Sequence, residues 1–325
     1  MHKIFLVFLI GCLSMLFAEV FSGASQAWFF NGWGILVTFP LYLAHLLFFL
    51  WIALKLKKTS LPQLYFFGII FALYESWITK VIWMGYIDAG SPALGTLLGL
   101  GISEFPILTF FWHPIMSFII PILTFEILTK KADSQHIWLL KKSTWKTSLI
   151  VIFLILIATF IVNGNQFSLL SANISLIGSL LLIFIFYFFS KKFNLKDFAF
   201  KRGWFITITI YLGILYLVTF FLLLPERIPP SILPYVSLLF FYILAIWLIT
   251  KLKLKATRLV SLNRNHYSIK DLVIFALITI LSVNFMGMIP QLSYALLGIS
   301  YYLFWLVGVI LFLTITYKII FKKSF

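Results

Sequence analysis

The chain has 325 residues, 62% of them hydrophobic and only 10% charged, with a mean hydropathy of +1.09. A soluble domain carries about 25% charged residues, so there is too little polar surface here to cover a water-soluble fold. The net charge of +16 would point to nucleic acid in a soluble chain. Here the basic residues flank apolar stretches, so the lipid bilayer and its anionic head groups are the expected partners, and nucleic acid is not.

A spanning helix needs about 20 mostly apolar residues. The first run, 4–21, follows His2-Lys3 and contains Glu19. Ile4–Phe17 followed by Ser22-Gly23-Ala24 has the outline of a signal peptide, and Leu9-Ile10-Gly11-Cys12 that of a lipoprotein cleavage box. The apolar run before Cys12 is too short for the second reading, and a polytopic chain needs no cleaved signal. A retained first helix is therefore expected. Cys12 is the one cysteine, which excludes a disulfide within the chain and a cysteine metal site.

Further spans are predicted over 34–54, 63–87, 105–128, 147–164, 167–190, 203–224, 231–250, 272–289 and 293–317. Between them, the connectors alternate in charge. Lys55, Lys57 and Lys58 follow the second span, and Lys130, Lys131, Lys141, Lys142 and Lys146 the fourth. Lys191, Lys192, Lys196, Lys201 and Arg202 follow the sixth, and Lys251, Lys253, Lys255, Arg258, Arg264 and Lys270 the eighth. Lys318, Lys322 and Lys323 follow the tenth. Connectors after odd-numbered spans carry Arg227 alone, in the stiff turn Pro225–Pro230. One helix more or fewer would scramble this alternation. The expected fold is all-α, a polytopic membrane protein of about ten transmembrane helices, with both termini cytoplasmic by the positive-inside rule and the cell membrane as its location.

Two connectors have special character. Ala93–Ile102 is apolar but too short to span, which suits a re-entrant or interfacial segment. Residues 129–146 mix Trp138 and Trp145 with lysines and are expected to form an interfacial helix. The sequence thus divides into 1–128, the first four spans; 129–146, a basic and aromatic connector; and 147–325, six apolar spans. No repeat is visible, since the eighth span has no counterpart of Glu75.

Ionisable residues inside spans are costly, about 2.5–3.5 kcal/mol each near the centre on insertion scales. Spans one to four hold Glu19, His45, Glu75, Lys80, His113 and Glu126, whereas the interiors of spans five to ten hold none. At about 1.5 Å per residue, His45, Glu75 and His113 come to similar depths near the midplane. They are the candidate catalytic residues. Two imidazoles and a carboxylate suit three roles: ligands to Zn²⁺ or Fe²⁺, a proton relay, or an acid–base site for a lipid-phase substrate. Nearer the outer end, Lys80 calls for a carboxylate, with Glu19 and Glu104 as candidates and Trp77 and Trp83 as aromatic neighbours. These five are the candidate substrate-binding residues. Glu126 is four residues from Lys130, the spacing of an ordinary helix ion pair. His113-Pro114 predicts a kink that frees the Phe110 carbonyl.

The leading functional expectation is a buried polar site that binds or transforms a hydrophobic or lipid-like molecule entering from the outer side. The alternatives are a proton-coupled transporter and a membrane assembly subunit. No phosphate loop, nucleophile elbow or thiolate cluster is present.

Overall fold

The computed structural model describes residues 2–253 and 258–321, so Lys255, Lys322 and Lys323 lie outside the described residues. Among the described residues, nine helices are long and apolar enough to cross a membrane. They are α1 (Lys3–Val20), α2 (Gly34–Lys55), α5 (Glu104–Thr129), α6 (Thr144–Gly164), α7 (Leu169–Ser190), α8 (Arg202–Leu222), α9 (Leu233–Lys251), α10 (Ile269–Met288) and α11 (Pro290–Phe321). Two further helices, α3 (Leu61–Trp77) and α4 (Val81–Ala89), are long and apolar enough only together and are bent by 71° at the break, the form of a broken span or of a re-entrant loop. The third span expected as one rod is therefore two pieces. Cys12 is buried within α1.

The helices sort into two packing units, each drawn from three stretches of chain. The first comprises Met1–Leu46, Ile120–Phe198 and Thr257–Tyr302, and the second Leu47–Ile119, Ala199–Ala256 and Leu303–Phe325. In the first unit α1 packs on α7 and α6 packs on α10. Asn173 of α7 and Asn284 of α10 exchange amide hydrogen bonds at 3.0 and 3.1 Å. Each amide satisfies the other in a place where lipid offers no partner. At one turn, Gly23 (φ +74°) and Gly164 meet backbone to backbone, which a side chain on either would prevent.

The 129–146 connector belongs to this unit and departs from expectation. It forms a strand, β3 (Lys131–Asp133), paired antiparallel with β4 (Leu259–Ser261), and only a four-residue helix at Ile137–Leu140. The ladder binds two basic connectors together, and Lys142 pairs with Asp271 at 2.6 Å. Trp138 and Trp145 remain 62% and 61% exposed. Glu126 does not pair with Lys130. Its carboxylate is fully buried and accepts from His136 Nδ1, at 3.0 and 2.9 Å, and from the Asp133 N–H at 2.8 Å. The strand that follows Lys130 turns the chain back and brings His136 under α5, so a residue ten positions away displaces the i,i+4 partner.

In the second unit α3 packs along α5, and α9 packs on α3. The start of α3 is specified by a capping box: Ser60 N–H and Oγ both donate to Gln63 Oε1, at 3.1 and 2.8 Å, with Pro62 in the first turn. Gly68 of α3 lies against the backbone of Pro114 on α5 so closely that a Cβ would collide with the Pro114 Cα. Between Ile107 and Ile119, α5 is wound as a π-helix. Pro114 has no N–H to give to this ladder, and the Phe110 carbonyl accepts from the Tyr65 hydroxyl at 2.7 Å. Ala93–Ile102 is no re-entrant helix. It carries a small hairpin, β1 (Thr96–Leu97) with β2 (Leu100–Gly101), turned by Leu98 and Gly99 at positive φ.

Candidate functional site

The close approach of Gly68 and Pro114 sets α3 and the π-helical part of α5 side by side, and two turns further along α3 it delivers Glu75 to His113. Glu75 Oε1 and His113 Nε2 are 3.0 Å apart. His113 Nδ1 lies 3.0 Å from Ser117 Oγ, one step along the same helix. A neutral imidazole with its proton on Nε2 satisfies both contacts, donating to the carboxylate and accepting from the serine. The second carboxylate oxygen accepts from Thr79 Oγ1, and Tyr74 adds a further side-chain hydrogen bond. His113 and Ser117 are buried completely, while the Glu75 side chain keeps 10% of its surface open.

Aromatic rings enclose this edge of the pair. Tyr74 meets the imidazole edge-on with centroids 5.0 Å apart. Trp77 donates from Nε1 to the Tyr242 hydroxyl at 3.0 Å, and Tyr216 of α8 lies close enough to couple electrostatically to both Tyr242 and Glu75. Trp77, Trp83, Phe220 and Tyr235 pack ring against ring at 5.1–6.3 Å. Trp77 and Trp83, expected beside Lys80, therefore lie in one aromatic cluster on the α4 side of Glu75.

The break between α3 and α4 sits directly after this site and contains neither proline nor glycine. Its causes are cross-capping contacts. Thr79 Oγ1 bonds back to the Glu75 carbonyl at 2.9 Å, a bond that competes with helix continuation. Lys80 takes the left-handed conformation, φ 58°, and is fully buried. Its ammonium donates to the Thr219 carbonyl at 2.8 Å and to the Leu223 carbonyl, capping the C-terminal end of α8 where the helix dipole favours a cation. In return, Arg227 from the turn after α8 donates to the carbonyls of Thr79, at 3.3 Å, and Gly85. Arg227 is thus half-buried at the break rather than part of an exposed turn. Burial lowers its guanidinium from the usual value, and Glu226 beside it works in the opposite direction.

The remaining expected residues separate. Carbonyls rather than the carboxylate of Glu104 hold Lys80. Glu104 is buried in the second unit and accepts from Ala93 N–H at 3.0 Å. Glu19 lies in the first unit, where its Oε2 accepts from Ser25 Oγ at 2.5 Å. His45 also lies in the first unit, its Nδ1 2.8 Å from the carbonyl of Leu41 one turn back on its own helix. Among the described residues no group of three or more His, Cys, Asp or Glu side chains is placed to hold a metal ion, so Glu75 and His113 offer two ligands. Sequence reasoning missed Ser117 and Thr79. Each lies four residues beyond a charged candidate, and that spacing was the available signal. It also missed His136, which lies among lysines in a connector.

A family model for uncharacterized membrane proteins matches residues 8–325, and the chain belongs to that family. An uncharacterized protein of Archaeoglobus fulgidus is similar, with 40% identity over 126 residues. That alignment covers 39% of this chain and 39% of the relative, so the chain spans about two-fifths of the length of the curated relative it matches. No solved structure matches the chain.

Proposed function

We propose that Glu75 and His113 are the working acid–base pair of a membrane-embedded site that binds or transforms a hydrophobic or lipid-like molecule. The observation that carries this reading is the linked set Glu75–His113–Ser117, a hydrogen-bonded carboxylate, imidazole and hydroxyl buried together. A carboxylate at this depth is expensive, and here the imidazole and the Thr79 hydroxyl stabilise its charged form. When Glu75 takes a proton, the imidazole keeps its hydrogen bond to Ser117, so the pair can cycle between two states without repacking. General acid–base work of this kind contributes about 10²–10⁴ in rate where a substrate is in reach. His45 is the third candidate, and it belongs to the variants tested below.

A second reading is favoured by one observation, the 71° break beside Glu75. Interrupted helices next to a protonatable group suit a proton-coupled carrier. The basic clusters after even-numbered spans support cytoplasmic termini in the cell membrane. The exposed Trp138 and Trp145, with Lys146 Nζ 5.1 and 5.9 Å from their rings, support contact of the 129–146 connector with anionic lipid head groups.

The test is rescue of a deletion strain. Glu75→Gln and His113→Ala should fail to restore the phenotype while accumulating in the membrane at normal levels. Full rescue by Glu75→Gln, His113→Ala and His45→Ala alike would rule the site out. Uptake by reconstituted vesicles that ignores an imposed pH gradient would count against the carrier.

A further inference from the structure

Two buried polar groups on α5 have an oxygen without a hydrogen-bond partner. Glu104 is fully buried, and while its Oε1 accepts from Ala93, its Oε2 has no hydrogen-bond partner in the structure. Oε2 faces Gly101, where a Cβ would lie 2.6 Å from it and 3.3 Å from the Ile82 carbonyl oxygen. Only glycine leaves that spot open. Thr109 is fully buried as well, and its Oγ1 is likewise unpartnered. Buried polar atoms nearly always have a partner in protein or water, and two on one helix leading to a buried acid–base pair call for a reason.

Their spacing supplies one. Glu104, Thr109, His113 and Ser117 follow one another at steps of five, four and four residues. From Ile107 on, the helix is π-wound, with i to i+5 hydrogen bonds and a turn wider than that of an α-helix. The direct bond between His113 and Ser117 demonstrates that a four-residue step brings side chains together here. Glu104 Oε2 and Thr109 Oγ1 nevertheless bond neither to each other nor to His113, so linking them takes one or two bridging waters. The segments packed on Glu104, Val81–Met84 and Leu100–Gly101, bring no charged side chain to it. Around Glu75 the groups with a proton to exchange are His113, Tyr74, Tyr216 and, through Trp77, Tyr242.

We propose that Glu104 and Thr109 mark the route by which protons reach the Glu75–His113 pair from the 88–104 connector, with water bridging the gaps. The inference rests on the acid–base reading of that pair. A proton taken up at Glu104 passes to water. The Thr109 hydroxyl accepts that proton and gives its own to the next water, which delivers it onward past His113. The proton ends on the Glu75 carboxylate, leaving the His113 imidazole neutral, so one proton is transferred and no covalent bond to carbon changes. The ligand of this route is water itself, and the orphaned oxygens of Glu104 and Thr109 are its fixed points.

The test uses the full chain reconstituted in lipid, with infrared difference spectra recorded after a pH jump. The carboxyl band of Glu75 is identified by its loss in Glu75→Gln. In Glu104→Gln and in Thr109→Val, which keeps side-chain shape, protonation of Glu75 should slow by about tenfold or more and reach the same end point. Thr109→Ser, which restores the hydroxyl, should exchange at the wild-type rate. Wild-type rates in both Glu104→Gln and Thr109→Val would overturn the route while leaving the acid–base pair standing. A wild-type Glu75 band that never changes with pH would overturn the pair and the route with it.

Discussion

Two buried carboxylate–imidazole pairs in one chain have the same chemistry and different surroundings. Glu126–His136 in the first unit is sealed: both side chains are fully buried and a main-chain N–H completes the carboxylate's bonds. Glu75–His113 in the second unit is finished by hydroxyls, Thr79 and Ser117, and the Glu75 side chain keeps 10% of its surface open. A backbone donor cannot leave without unfolding the strand it belongs to, whereas a hydroxyl can rotate and change from donor to acceptor. The first pair therefore ties a connector to a span, and the second is the one proposed here to change state. A charged pair inside an apolar protein does not by itself signal function; what satisfies its remaining lone pairs decides.

The largest effect should come from breaking the sealed pair. Glu126→Ala leaves His136 buried alone and should lower stability by about 3 kcal/mol or more, read as a drop in unfolding midpoint in mild detergent. Glu75→Gln should cost about 1 kcal/mol and abolish rescue instead, so equal destabilisation by the two would erase the contrast. Next, Gly68→Ala should cost about 1–3 kcal/mol through overpacking and loosen the Glu75–His113 contact, because the new Cβ meets the Pro114 backbone. Lys80→Met removes the charged cap from Thr219 and Leu223 and should cost about 1.5 kcal/mol, with faster proteolysis near residues 78–90. The smallest loss, about 1 kcal/mol, is expected for Tyr65→Phe, which leaves the Phe110 carbonyl without its hydroxyl partner.

Much of the architecture was legible because charge placement in a bilayer obeys a strong one-dimensional rule. Apolar run length, checked against the alternation of basic connectors, located nine of the ten expected spans to within a few residues. Depth counting, which assumes only the helical rise, brought Glu75 and His113 to one level, and the structure places them in contact. The same counting could not tell that His45 belongs to another packing unit, since depth carries no azimuth. The break at 78–80 was invisible because no proline or glycine marks it. Its cause is the exchange of caps between Lys80 and α8 and between Arg227 and α4, contacts about 140 residues apart in the chain. Glu126 misled for a related reason: a local i,i+4 rule lost to a strand that returned His136 to it. The π-winding around Pro114 was half legible, as a freed Phe110 carbonyl, but not the Tyr65 hydroxyl that answers it.

The contrast between the pairs comes down to protonation: Glu75–His113 should change state inside the membrane, while Glu126–His136 should not. Nitrogen NMR of the ¹⁵N-histidine-labelled protein in lipid, titrated across the pH range of stability, tests it most directly. The account predicts that the His113 ring signals move with pH and that Glu75→Gln abolishes or displaces that transition, while the His136 signals stay fixed until the protein unfolds. His113 signals that are as invariant as those of His136 would contradict it.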